Sequence, residues 1–199
     1  MPPSPAIEPG THWSSEHGTY VDARGVPLRA PSGLRFPVRV ALFLLIFTVL
    51  MLGWDASRGG AVERLVVHDA TVRPAAWLAN LLTPAVHVRA VGSSLRAPGG
   101  GLNILNGCEG VDALCLLVAA FLVAPLPRGA RTSGLLRGIG LLYAVNQGRI
   151  LLLFYAFRRD AALFATLHGT VTPILVVLLL AAYFHFWLGR HAPAVAATA

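Results

Sequence analysis

Residues 138–157 read GIGLLYAVNQGRILLLFYAF, a run broken only by Asn146, Gln147 and Arg149. Taken from about residue 135, it is long enough to cross the roughly 30 Å hydrocarbon core of a bilayer as a helix. Three further runs share that character: 37–54, uncharged between Arg39 and Asp55; 110–127, uncharged from Ala113 to Pro127; and 169–188, within an uncharged stretch from Ala161 to Gly189. The expected fold is an all-α integral membrane protein with four spans. A fifth around 61–83 is the poorer reading, because Glu63, Arg64, His68, Asp69, Arg73 and Pro74 favour an amphipathic helix lying at the interface.

Composition agrees. The 199 residues are 55% hydrophobic and 13% charged, with a mean hydropathy of +0.65. An ordinary soluble domain carries about 25% charged residues. Such a composition fits a water-soluble domain poorly, and it excludes disorder over the whole chain. All 16 basic residues are arginine, and the formal net charge is +7. Most arginines sit between apolar runs, where membrane topology explains them better than nucleic-acid binding does.

Arg24, Arg29, Arg35 and Arg39 precede the first run, Arg128, Arg131 and Arg137 separate the second from the third, and Arg190 follows the fourth. The positive-inside rule then places both termini in the cytoplasm. Residues 1–34, with six prolines and no apolar period, read as a disordered cytoplasmic tail, and 191–199 as a second tail. The membrane domain runs over 35–190. Its sizeable extramembrane piece, 55–107, lies on the outer side, and VHVRAVGSSLRAPGGGLNIL within it predicts a short hairpin.

Cys108, Arg149 and His168 come from three different runs, yet this topology sets them at one level near the outer leaflet. Cys108 lies in Asn106-Gly107-Cys108-Glu109-Gly110-Val111-Asp112. Asn106 as N-cap and Glu109 three residues on resemble a capping box, which predicts Cys108 in a first helical turn that favours a thiolate. Arg149 is predicted about 12 Å below the outer end of its helix. A cation at that depth needs a partner or a task. Asn146, one turn away, can orient it; pairing with Asp112 is the purely structural alternative. His168 suits a general acid or base.

Read singly, a lone cysteine is most often a small buried hydrophobe, and a lone interfacial histidine a wetted side chain. Together a thiol, an imidazole and a fixed cation make an acyl-transfer site. Cys115, two turns deeper, reads as core. In one helix its Cα would stand about 10.5 Å from that of Cys108, too far for a disulfide. His185 reads as part of an interfacial aromatic belt. The remaining histidines show no metal-ligand spacing, and no cofactor motif is present.

The order NGCEGVDA, then Asn146-x-x-Arg149, then His168 ahead of the last run, resembles the exosortase/archaeosortase family, most nearly the compact exosortase H type. The resemblance covers about residues 37–188 and is most specific over 103–172. It implies a polytopic cysteine protease/transpeptidase of the bacterial cytoplasmic membrane, with its site facing the periplasm and Cys108, Arg149 and His168 as catalytic set. It also implies substrates: secreted proteins ending in a PEP-CTERM-like sorting signal (here a signature similar to IPTLxxWG), a transmembrane helix and a basic tail. These would be cut through a thioacyl enzyme and passed to an outer-face acceptor, such as a glycolipid or polysaccharide component. The chain departs from the pattern at Glu109, where Asn is expected, and at Asp112, where Glu is usual. Glu109 sets a negative charge beside the thiol and opposes its ionisation.

Two other readings remain at this stage. A non-catalytic membrane scaffold of the same fold is favoured by Glu109. A small transporter would use Arg149 as a substrate residue, although the sequence has neither the internal repeats nor the paired broken helices of that class.

Overall fold

The computed structural model describes residues 12–14, 19–21, 36–104 and 107–191. Within the segment read as a disordered tail, β1 (His12–Ser14) and β2 (Thr19–Val21) pair antiparallel; its other residues, like Asn106 and 192–199, lie outside the described residues. Helix α1 (Phe36–Ala56) buries Trp54 and leaves Leu44, Leu45, Val49 and Leu52 exposed, an apolar surface suited to lipid. Helix α2 occupies residues 61–82, α-helical at its ends and π-helical over Arg64–Val72. A meander of β3 (Arg89–Val91), β4 (Ser94–Ala97) and β5 (Gly100–Asn103) follows. Then come α3 (Val111–Val123), α4 (Arg128–Arg159) and α5 (Ala161–His191), the last with a π-helical stretch at Leu167–Val171.

The protein is thus mainly helical. Helices α1, α4 and α5 are long and apolar enough to cross a membrane, while α3 is a shorter apolar helix packed against α1 and α4. The expected second span is the one that shrinks. Its helix stops at Val123, because Pro125 and Pro127 cannot continue it and the residues before them are pushed towards extended backbone. The expected hairpin becomes three strands. Pro98-Gly99 provides a second tight turn, and the register pairs Leu95 with Leu102 and Ala97 with Gly100. Residues 61–82 do form a helix, but one side of it is committed to protein. Val67, Val72, Ala75 and Ala79 are buried, Tyr143 Oη donates to the Ala70 carbonyl at 3.0 Å, and Gln147 Nε2 donates to that of Thr71 at 3.4 Å.

At 1.5 Å per residue α1 is about 31 Å long, while α4 and α5 reach about 48 and 46 Å. The last two therefore overrun a bilayer core by about 15 Å. The extra length of α4 is clothed by α2 and the meander, which together form a cap, whereas residues 161–171 of α5 stay mostly exposed; the buried residues fall into two clusters. One holds Leu117, Phe121, Leu142, Val176, Leu180 and Trp187 in the helix bundle. The other holds Trp54, Val72, Ala79, Leu95, Leu102, Ile150 and Phe154 under the cap. The bundle closes tightly at Gly134, whose carbonyl accepts from Tyr183 Oη at 2.6 Å. A Cβ there would stand 2.3 Å from Trp187 Nε1 and 2.6 Å from the Phe121 ring. Gly134→Ala is therefore expected to cost about 1–3 kcal/mol, lowering the thermal midpoint in detergent by several degrees. Gly140→Ala, with nothing within 4 Å of its added carbon, should leave the midpoint unchanged or slightly raised. Equal midpoints for both variants would refute this packing.

Candidate active site

The turn between β5 and α3 is shaped by two glycines. Gly107 and Gly110 take φ of +99° and +78°, a region other residues enter only under strain, and they bracket Cys108 and Glu109. Helix α3 therefore starts at Val111, and Cys108 lies in the turn before it, not in a first helical turn as the sequence suggested. Glu109 makes no helical capping bond either; its Oε2 accepts from the Gly107 N–H at 2.8 Å, closing the turn on itself. Asn146 Nδ2 grips the same turn from α4, donating to the carbonyls of Cys108 and Glu109 at 3.1 and 3.2 Å. A Cβ on Gly110 would meet that amide at 3.0 Å, so glycine is needed there for space as well as for φ.

Arg149 stands one turn along α4 from Asn146, and the two side chains act on one segment. Its Nη1 donates to the Gly107 carbonyl at 3.0 Å and its Nε to Thr172 Oγ1 at 3.0 Å. Thr172 in turn donates to the Leu167 carbonyl at 2.9 Å. The guanidinium thus ties the cysteine turn to the π-helical stretch of α5, the kind of irregular helix often found at functional sites. Arg149 does not pair with Asp112, which is exposed in the first turn of α3. It is covered by protein, and the residues beyond it on α4, Ile150, Leu153 and Phe154, are fully buried beneath the cap. Its place is the junction of the two cores.

His168 completes the group. Its Nδ1 lies 3.2 Å from Cys108 Sγ, and its ring stacks on Phe164 one turn earlier, with centroids 5.3 Å apart and planes 5° from parallel. Acceptance of the thiol proton at Nδ1 requires the tautomer with its ring proton on Nε2. Cys108 is 1% exposed. Burial pushes its thiol pKa up, Arg149 pulls it down, and the charges of Glu109 and Asp112 push it up again. The net direction is upward, so the resting group at neutral pH is a thiol that needs a base, and His168 is the base in reach.

Five of the seven residues singled out in the sequence, Cys108, Glu109, Asn146, Arg149 and His168, come together. Asp112 acts only through its charge, and Asn106 lies outside the described residues. Cys115 is free and buried, one more core residue. Sequence reasoning missed Thr172, Phe164 and Arg58. The first two lie four positions either side of His168, a helical spacing that put them in view. Arg58 had no such signal: it arrives from the turn between α1 and α2, with Nη2 3.8 Å from Glu109 Oε1. Among the described residues no group of three or more His, Cys, Asp or Glu side chains is placed to hold a metal ion. The chain matches no family model, no curated protein and no solved structure. Its functional reading rests on this geometry and on the resemblance carried by its motifs.

Proposed function

We propose that this chain is a membrane cysteine peptidase/transpeptidase of the exosortase type, with Cys108 as nucleophile, His168 as general acid and base, and Arg149 as electrophilic and positioning group. The observation that carries the reading is the 3.2 Å contact between Cys108 Sγ and His168 Nδ1, made by residues far apart in sequence and held in register by the Arg149 fork. In a structural core neither the imidazole beside the thiol nor the buried guanidinium would be needed.

The chemistry balances with these groups alone. Sγ attacks the carbonyl carbon of the scissile peptide bond as its proton passes to Nδ1. The tetrahedral oxyanion is stabilised by Arg149, whose Nη2 donates to no other group among the described residues. Collapse breaks the C–N bond, and the imidazolium gives its proton to the leaving amine. An acceptor amine, hydroxyl or water then loses a proton to His168 and attacks the thioester. The thiolate leaves and is reprotonated from the imidazolium. Because Cys108 is buried, the turn 107–110 has to open for substrate to reach it.

The substrate class follows from the setting and the resemblance: a secreted protein whose C-terminal helix lies in the same membrane, presenting an IPTLxxWG-like signature at the outer face of a bacterial cytoplasmic membrane. The test is co-expression with a reporter bearing that signature, an apolar helix and a basic tail, followed by intact mass. The expected product is truncated near the signature, its mass giving either a free carboxylate or an attached acceptor. A full-length reporter as the sole species, at good membrane levels of both proteins, would sink this reading.

A further inference from the structure

Glu109 and, behind it in effect, Asp112 carry charge that works against the thiolate, and Glu109 is the buried one of the two. Its carboxylate stands beside the thiol with 4% of the side chain exposed, where its charge disfavours the thiolate. A carboxylate so buried needs compensation. The compensation comes from outside the catalytic set, from Arg58, whose Nη2 lies 3.8 Å from Glu109 Oε1. This guanidinium is itself fixed: Nε donates to Asp55 Oδ1 at 3.1 Å, and Cζ lies 5.9 Å from the ring centroid of Trp54, which is buried under the cap. Asp55 is 60% exposed, so water screens its charge. The other oxygen of Glu109 holds the Gly107 N–H, and the Gly107 carbonyl is what Arg149 grips.

We propose that Arg58 is a positioning residue for Cys108: by pairing with Glu109 it offsets the negative charge next to the thiol and secures the turn that presents it. The inference rests on Cys108 being the nucleophile, and it makes Glu109 compatible with activity. The charged and titratable groups facing the thiol are then His168 from α5, Arg149 from α4, Glu109 and Asp112 from its own segment, and Arg58 behind Glu109.

The test uses the full chain in detergent. The rate of Cys108 alkylation by iodoacetamide is followed across pH by site-resolved mass spectrometry, so that Cys115 does not interfere. The midpoint of the profile reports ionisation, and its alkaline plateau reports access. Arg58→Ala is expected to move the midpoint to higher pH and to slow alkylation near neutrality by about threefold to tenfold, relative to the plateau. Arg58→Lys should restore most of the wild-type profile. In a Glu109→Gln background, Arg58→Ala should move the midpoint no further. An unmoved midpoint in Arg58→Ala, or an equal shift with and without Glu109, would overturn the proposal. Alkylation needs no substrate, so the two can fail separately: an uncut reporter beside an intact Arg58–Glu109 coupling would remove the transpeptidase reading and leave only the effect of Arg58 on the thiol.

Discussion

Cys108→Ala is expected to abolish reporter processing, with a loss of about a thousandfold or more, while leaving the protein in the membrane at normal levels. The two halves of that expectation have different causes. Chemically, nothing replaces the thiol. Arg149 and His168 without a nucleophile can at most position water, and a set that acts as a unit loses nearly everything when one member goes. Structurally, the side chain is small. It is buried in the cap-side core, but removing one sulfur costs little beside the deletion of a large aliphatic group, and the turn is held by its backbone: Asn146 on the carbonyls of Cys108 and Glu109, Arg149 on that of Gly107. Cys108→Ser keeps the shape and the contact with His168, so it separates packing from reactivity: stability should stay at the wild-type value and processing should still fall steeply. Reporter cleavage by Cys108→Ala at the wild-type rate would exclude Cys108 as nucleophile.

The fold was legible where one-dimensional signals govern it. Long apolar runs placed α1, α4 and α5, and the polar interruptions within 61–83 keep α2 out of the helices long and apolar enough to cross a membrane. What the sequence hid was relative length. Hydropathy marks a run as apolar but does not say whether lipid or protein covers it. So Ile150, Leu153 and Phe154, which hydropathy alone marks as span residues, are buried against protein, and Arg149 sits at the junction of two cores. The same limit applies to the second run, where Pro125 and Pro127 ended the helix although hydropathy continued. Within the site, the residues with functional side chains stood out because each violates its apolar surroundings. The supporting residues did not. Thr172 is unremarkable at a helix boundary, and Arg58 is one of many arginines at run ends until tertiary packing sets it against Glu109.

Arg149→Lys keeps the charge and tests whether charge is the point. The guanidinium spans two acceptors on different elements at once, with Nε on Thr172 Oγ1 and Nη1 on the Gly107 carbonyl, both at 3.0 Å. An ammonium is a single point on a flexible stem and cannot reproduce that fork, so the cysteine turn and the π-helical stretch carrying His168 lose their common anchor. One acceptor is left unpaired in a site where Thr172 is 2% exposed, which costs about 1–3 kcal/mol. The expected outcome is a thermal midpoint several degrees lower and processing reduced by about a hundredfold, since sub-ångström misplacement of nucleophile and base is enough for such a loss. Thr172→Val removes only the α5 arm and should give a smaller loss in both readouts. Arg149→Met removes the charge as well. Because Arg149 holds the Cys108 thiol below where burial alone would put it, the alkylation midpoint should rise in the Met variant and stay near the wild-type position in the Lys variant. That contrast divides the role of Arg149: the midpoint follows its charge, and processing follows its shape. If Arg149→Lys processed the reporter at the wild-type rate, the fork would be packing alone and the site would reduce to the thiol and the imidazole.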